Sequence, residues 1–166
     1  VNVTHTNVVV EDNIVTIYFG TTLESETHYY VTVPDTAFCD DLTNWYAGIS
    51  DKTWHFTSAD TEEPHVTRVT STTPNGHYKA GDQINVRVEF NEIVNYDGMQ
   101  RMRLGTGGNG RDAVIHSHAA DETYMDFLYT VEAGDNADPL QYLSTTALSN
   151  MPYAWVRDLS GNDADL

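Results

Sequence analysis

The stretch Gln83-Ile84-Asn85-Val86-Arg87-Val88-Glu89-Phe90 alternates polar and apolar side chains without interruption. Successive side chains of a β-strand point to opposite faces, so this period of two predicts a strand with one buried and one solvent-facing side. The same alternation, rich in Val, Thr, Tyr, Phe and Trp, runs through most of the 166-residue chain. No helical stripe is longer than about two turns. The sequence therefore predicts an all-β fold.

Turn-forming residues separate the predicted strands, as in the stretches Pro74-Asn75-Gly76, Gly107-Gly108-Asn109-Gly110 and Gly134-Asp135-Asn136. Short strands at this spacing are typical of a β-sandwich. The strand candidates are residues 1–6, 13–19, 28–33, 53–58, 66–71, 83–90, 100–104, 113–117, 124–131 and 153–157.

A short acidic segment, Ser58-Ala59-Asp60-Thr61-Glu62-Glu63-Pro64, divides these strands into two groups. Pro64 disfavours helix at the residue before it and keeps the connection extended. We therefore expect two domains, residues 1–60 and 61–166, joined by a stiff linker.

The formal net charge is −17, from 25 Asp and Glu residues against 8 Lys and Arg residues. Such a surface repels phosphate backbones, so nucleic acid is not an expected partner. It attracts divalent cations, although an acidic surface also simply keeps a secreted protein soluble. No apolar run is long enough for membrane insertion. The single cysteine, Cys39, allows neither an internal disulfide nor a thiolate metal cage.

Two parts of the chain resemble known bacterial domains. Residues 28–58, with Tyr29-Tyr30-Val31-Thr32-Val33-Pro34 and Thr53-Trp54-His55-Phe56-Thr57, resemble the C-terminal half of a bacterial Ig-like domain of the S-layer and adhesin type. Residues 64–166, with Tyr78-Lys79-Ala80-Gly81-Asp82 and Asp158-Leu159-Ser160-Gly161-Asn162, resemble a second Ig-like module from tandem arrays of large bacterial surface proteins.

The resemblance implies tandem Ig-like β-sandwiches, the first N-terminally incomplete and the second lacking its last strand. It also implies an extracellular, cell-surface protein whose partners are neighbouring modules or subunits. The expected function is that of a non-enzymatic spacer. One alternative is a self-assembling filament or surface-layer subunit completed by strands from neighbouring subunits, and another is a carbohydrate-binding module with glycan partners.

In the strand order of that family, one end of the second module would gather eight oxygen-bearing residues: Asp60, Glu62, Glu63, Asn91, Glu92, Asp158, Asn162 and Asp163. Oxygen ligands in flexible geometry suit Ca²⁺ better than Mg²⁺, so the resemblance implies a calcium ion that rigidifies the linker. The alternative is a solvated turn in which Asp158 and Asn162 satisfy their own loop.

An Asp-x-x-x-Asn sequence occurs twice, at Asp40–Asn44 and Asp158–Asn162, each time after a predicted strand. A weaker cation site is expected at Asp82, Asp135, Asn136 and Asp138, and another at Asp40, Asp41 and Asn44. His116 and His118 share a strand face and could hold Zn²⁺ if a third ligand were near. Trp54 and Trp155 are expected within strands as core residues, with Trp45 exposed. No pairing of acid, base and nucleophile suggests an enzyme.

Overall fold

A computed structural model describes residues 7–117 and 122–166. The chain forms two compact units, unit 1 (Val1–Thr61) and unit 2 (Glu62–Leu166). All regular structure in the described residues is β-strand, and all pairing between the strands is antiparallel. The all-β class is thereby confirmed. The expected strand at residues 1–6 lies outside the described residues.

Unit 1 consists of two small antiparallel pairs. Strands β1 (Val8–Glu11) and β2 (Ile14–Ile17) form a hairpin, whose turn places Asp12 at a φ of 51°. Strands β3 (His28–Tyr30) and β4 (His55–Thr57) pair across a long connection. None of the described residues of unit 1 is buried, and Phe19 is 60% exposed.

Unit 2 contains one seven-stranded sheet. Its strands are β5 (Val66–Ser71), β6 (Gln83–Asp97), β7 (Gln100–Leu104), β8 (Arg111–Ser117), β9 (Glu122–Thr130), β10 (Leu148–Asn150) and β11 (Trp155–Arg157). The order is β10-β7-β8-β9-β6-β11, with β5 also pairing with β6.

The core of unit 2 follows the alternation seen in the sequence. Val86, Val88 and Phe90 of β6 are buried, and they pack in one cluster with Met125 and Phe127 of β9. The intervening residues of β6 are more exposed and carry most of the charge. A register shift between Glu89 and Val94 interrupts the β6–β9 pairing. Bulges of this kind bend a strand and re-aim its side chains.

Several strand predictions need correction. Strands β1 and β10 were missed, because neither Val8-Val9-Val10-Glu11 nor Leu148-Ser149-Asn150 shows a clear alternation of polar and apolar residues. The strand expected at 153–157 begins at Trp155, since Tyr153 has a φ of 69° and is fully exposed. Trp54 is 50% exposed and precedes β4, so its expected place in a strand and in the core is wrong.

Truncating Phe127 should test the core of unit 2. Phe127→Ala is expected to lower the free energy of unfolding by about 3–5 kcal/mol, because it leaves a cavity in a buried cluster. The matched control is Val114→Ala on the adjacent strand β8, where the side chain is 41% exposed. That change should cost about 0.5 kcal/mol or less. Urea unfolding of both variants decides the point, and equal losses would contradict this core.

Candidate cation site and the two Asp-Asn loops

The loop after β11 is organised by the Asp158 side chain. Its Oδ1 accepts a hydrogen bond from the Asn162 backbone amide (2.8 Å), and its Oδ2 accepts one from Asn162 Nδ2 (2.7 Å). The backbone amide of Asp158 donates in turn to the Asn162 carbonyl at 3.2 Å. Gly161 closes the turn at a φ of 94°, a conformation that favours glycine.

The loop at Asp40 repeats the same arrangement in unit 1. Asp40 Oδ1 accepts from the Asn44 amide (2.8 Å), Asp40 Oδ2 accepts from Asn44 Nδ2 (2.8 Å), and the Asp40 amide donates to the Asn44 carbonyl (3.1 Å). Thr43 stands where the other loop has Gly161, and its φ is 66°. Asp-x-x-x-Asn is therefore the same local device in both units. The hydrogen bonds between Asp158 and Asn162 that the alternative of a solvated turn predicts are present, but the Asp158 side chain is buried.

Burial distinguishes the two loops. Asp158 is only 5% exposed, whereas Asp40 lies on the surface. Burial alone would raise the pKa of Asp158, but hydrogen bonds from the Asn162 side chain and from the amides of Asn162, Gly161 and Ser160 lower it below its ordinary value. The pKa of Asp40 is also lowered, chiefly by the Asn44 side chain. Both carboxylates are held in the ionised form.

Two carboxylates of the predicted calcium set come together in unit 2. Glu92 and Asp158 each offer an oxygen, and these oxygens lie within 4.8 Å of each other. Glu92 is half-buried and Asp158 is buried. Such a pair could contribute to a metal site.

Local contacts orient these acids. Glu92 lies between Glu89 and Val94, where the β6–β9 pairing is interrupted, and its Oε1 accepts a hydrogen bond from Asn91 Nδ2 at 3.1 Å. In unit 1, Asp60 Oδ1 accepts a hydrogen bond from Ser25 Oγ at 2.9 Å. The carboxylates are thus held in place by neighbouring donors.

The remaining residues of the predicted set have other surroundings. Asn91 Oδ1 accepts the backbone amide of His65 (2.7 Å), and Asp163 Oδ1 pairs with Arg157 Nε (2.5 Å). Glu62 and Glu63 are exposed. Within unit 2, the structure therefore places Glu92 and Asp158 together and gives Asn91 and Asp163 structural contacts.

The acids expected to form a weaker site elsewhere in unit 2 serve the fold. Asp82 Oδ2 accepts the Lys79 amide at 2.8 Å. Asp135 accepts hydrogen bonds from the Tyr129 hydroxyl (2.6 Å), Arg111 Nε (3.0 Å) and the Glu132 amide (2.8 Å). Those contacts lower the pKa of Asp135, the Tyr129 hydroxyl most of all.

His116 lies on β8 with an exposed side chain, and His118 lies outside the described residues. Another histidine pair was not foreseen from the sequence. His28 on β3 and His55 on β4 have ring centroids 4.9 Å apart. Their separation of 27 residues gives no local signal, because the contact depends on how β3 pairs with β4.

No protein-family model, curated protein or solved structure matches this chain. Among the described residues, no helix is long and apolar enough to cross a membrane.

The Asp158 loop should determine part of the acid stability. Because the folded-state pKa is lowered, the stabilisation from ionised Asp158 is present above the unfolded pKa of about 3.9 and is lost as pH falls through the folded value. Asn162→Ala removes the side-chain donor and should lower the free energy of unfolding by about 1–3 kcal/mol near neutral pH. It should also move the acid unfolding midpoint to higher pH.

The matched control is Asn44→Ala in the exposed loop, which should have a smaller effect on both quantities. Acid titrations followed by circular dichroism provide the measurement. Identical acid transitions for wild type and Asn162→Ala would show that the Asp158 loop contributes little.

Proposed function

We propose that this chain is a non-enzymatic structural part of an extracellular bacterial surface protein and that it binds calcium through Glu92 and Asp158. The observation that supports the calcium proposal is the approach of these two carboxylate oxygens to within 4.8 Å of each other. The surface setting and the Ig-like sandwich architecture are supported by the sequence resemblance alone.

The separation of the two oxygens is compatible with calcium. Ca²⁺ binds oxygen at about 2.3–2.6 Å, so two ligands on opposite sides of the ion lie up to about 5 Å apart. A limit of 4.8 Å also admits Mg²⁺, so the preference for Ca²⁺ rests on the tolerant geometry of its oxygen ligands. Two carboxylates match the charge of a divalent ion.

The hydrogen bonds of Asp158 are compatible with this role. Both of its oxygens already accept from Asn162, but a carboxylate oxygen has two acceptor positions. The loop therefore fixes the direction of the carboxylate and leaves lone pairs for an ion. The same contacts keep Asp158 ionised, which a calcium ligand must be.

The proposed effect of the ion is mechanical. In the absence of a cation, the ionised groups of Glu92 and Asp158 repel each other. Neutralising them would fix the loop after β11 against β6 and stiffen the module. That the ion also rigidifies the linker of a spacer is implied by the sequence resemblance alone.

Calcium should stabilise the protein and should do so through Glu92. At a free calcium concentration of about 100 times Kd, the stabilisation would be about 2.7 kcal/mol, so EDTA should lower the melting temperature. Glu92→Gln keeps the shape but removes a charge, and should weaken calcium binding by about tenfold or more. Glu89→Gln is the matched control, since Glu89 lies on the same strand and pairs instead with Arg68 at 3.8 Å.

Isothermal titration calorimetry and thermal unfolding measure both effects. If calcium rigidifies the linker, cleavage by a Glu-specific protease after the exposed Glu62 should also be slower in calcium. Unchanged unfolding and cleavage with and without EDTA would contradict the calcium proposal and leave the proposal of a structural module standing. Turnover of ester, peptide or glycoside substrates would contradict the latter.

Self-assembly is a second candidate function, and the surface of unit 1 favours it. Its described residues include none that is buried, and Phe19, Trp45 and Trp54 are each at least half exposed. An apolar surface of this kind is typical of an interaction site. In a filament or surface-layer subunit, strands of neighbouring subunits would cover it. Velocity sedimentation at increasing concentration would reveal such association.

The same exposed tryptophans are also suited to stacking against sugar rings in a carbohydrate-binding module. Retardation in gels that contain polysaccharide, compared with Trp45→Ala, distinguishes this alternative from self-assembly.

A further inference from the structure

His28 and His55 occupy one exposed face of the β3–β4 pair in unit 1. His28 lies opposite Thr57, and Tyr30 lies opposite His55, so the two histidines are diagonal neighbours across the strands. Their ring centroids are 4.9 Å apart and their planes are tilted by 47°. Both side chains are exposed and open to a ligand.

The hydrogen bonds of the rings leave Nε2 available on both histidines. His55 Nδ1 lies 2.9 Å from the backbone carbonyl of Lys52, and a carbonyl can only accept, so His55 carries its proton on Nδ1. In the neutral ring, Nε2 then holds a lone pair. His28 Nδ1 contacts Thr57 Oγ1 at 3.2 Å, which likewise leaves Nε2 outside the contact. A backbone carbonyl bonded to the other ring nitrogen is the usual support of a histidine that binds metal.

The distance between the rings matches two imidazoles on one ion. With a metal–nitrogen distance of about 2.1 Å and a ring centre about 1.1 Å further away, two such centroids lie about 4.5 Å apart at a right angle. At the tetrahedral angle they lie about 5.2 Å apart. The observed 4.9 Å falls between these two geometries.

The opposite face of the pair supports this arrangement. Tyr29 and Phe56 lie directly across from each other and stack at 5.6 Å. Backbone bonds extend the pairing at both ends, from Val31 to the Trp54 carbonyl and from Ser58 to the Thr27 carbonyl. Two histidines on such a pair lose little freedom on binding an ion.

We propose that His28 and His55 form a two-histidine site for a divalent transition metal ion, bound through both Nε2 atoms with water as the remaining ligands. Imidazole suits Cu²⁺, Ni²⁺ and Zn²⁺, whereas Ca²⁺ and Mg²⁺ require oxygen ligands. Residues 1–61 include nine Asp or Glu residues and one Lys, so the field around the pair attracts cations. The site is independent of the calcium proposal, because it contains neither Glu92 nor Asp158.

Calorimetric titration with Cu²⁺, Ni²⁺ and Zn²⁺ tests the proposal. Cu²⁺ should bind most tightly, in keeping with the general order of affinities for nitrogen ligands. His28→Gln and His55→Gln should each weaken the binding of Ni²⁺ and Zn²⁺ by about tenfold or more, since losing even an outer-shell partner often costs that much. His77→Gln, which changes an exposed histidine of unit 2, should leave it unchanged.

Nitrogen-15 NMR of the wild-type imidazoles gives a second measurement that does not depend on variants. Zn²⁺ should shift Nε2 of both His28 and His55, while Nδ1 of His55 remains protonated. Near-UV circular dichroism reports whether the Tyr29–Phe56 stack survives in each variant. Unaltered affinity in both folded variants, or a zinc shift confined to other histidines, would overturn the proposal.

Discussion

The long strand β6 is the element on which the rest of unit 2 depends. It pairs with β9 along its first half, with β5 on the other edge, and with β11 at its end. Its alternate residues Val86, Val88 and Phe90 face the core, so a shift of one residue would exchange buried and exposed faces. The register of three neighbouring strands is therefore tied to one hydrophobic pattern. The pairing of β6 with β9 is interrupted after Glu89, and Glu92 lies in this interrupted segment of the strand.

The pattern that fixes β6 also explains which features the sequence could predict. Strands β5, β7 and β9 have several alternating residues and clear turn signals, so their existence and approximate limits were predicted correctly. Strands β1 and β10 show no clear period of two, whereas the equally short β3 and β4 lie inside longer stretches that were predicted as strands. Trp54 was expected in a strand because aromatic residues favour strands. In the structure its side chain is half exposed, because unit 1 does not bury it.

The candidate sites differ in the same way. The Asp158–Asn162 loop could be inferred because the hydrogen bonds between these two residues are local, and side chains four residues apart are recognisable in a sequence. Glu92 and Asp158 were included only within a larger set of eight, since the family resemblance gives an end of a domain but not individual distances. The His28–His55 contact was invisible. It follows from a strand register that no local pattern in residues 28–57 determines.

The same side-chain arrangement has different consequences in the two loops. In the exposed Asp40 loop, the carboxylate only stabilises a turn, because its surroundings already solvate it. The Asp158 side chain is buried although the three residues after it are exposed, and there the same bonds offset the cost of removing a charge from water. A buried carboxylate held in the ionised form gains more from a nearby cation than an exposed one does, because water screens it less. The burial of the Asp158 side chain, and not the sequence of its loop, is therefore what makes it the stronger candidate as a calcium ligand.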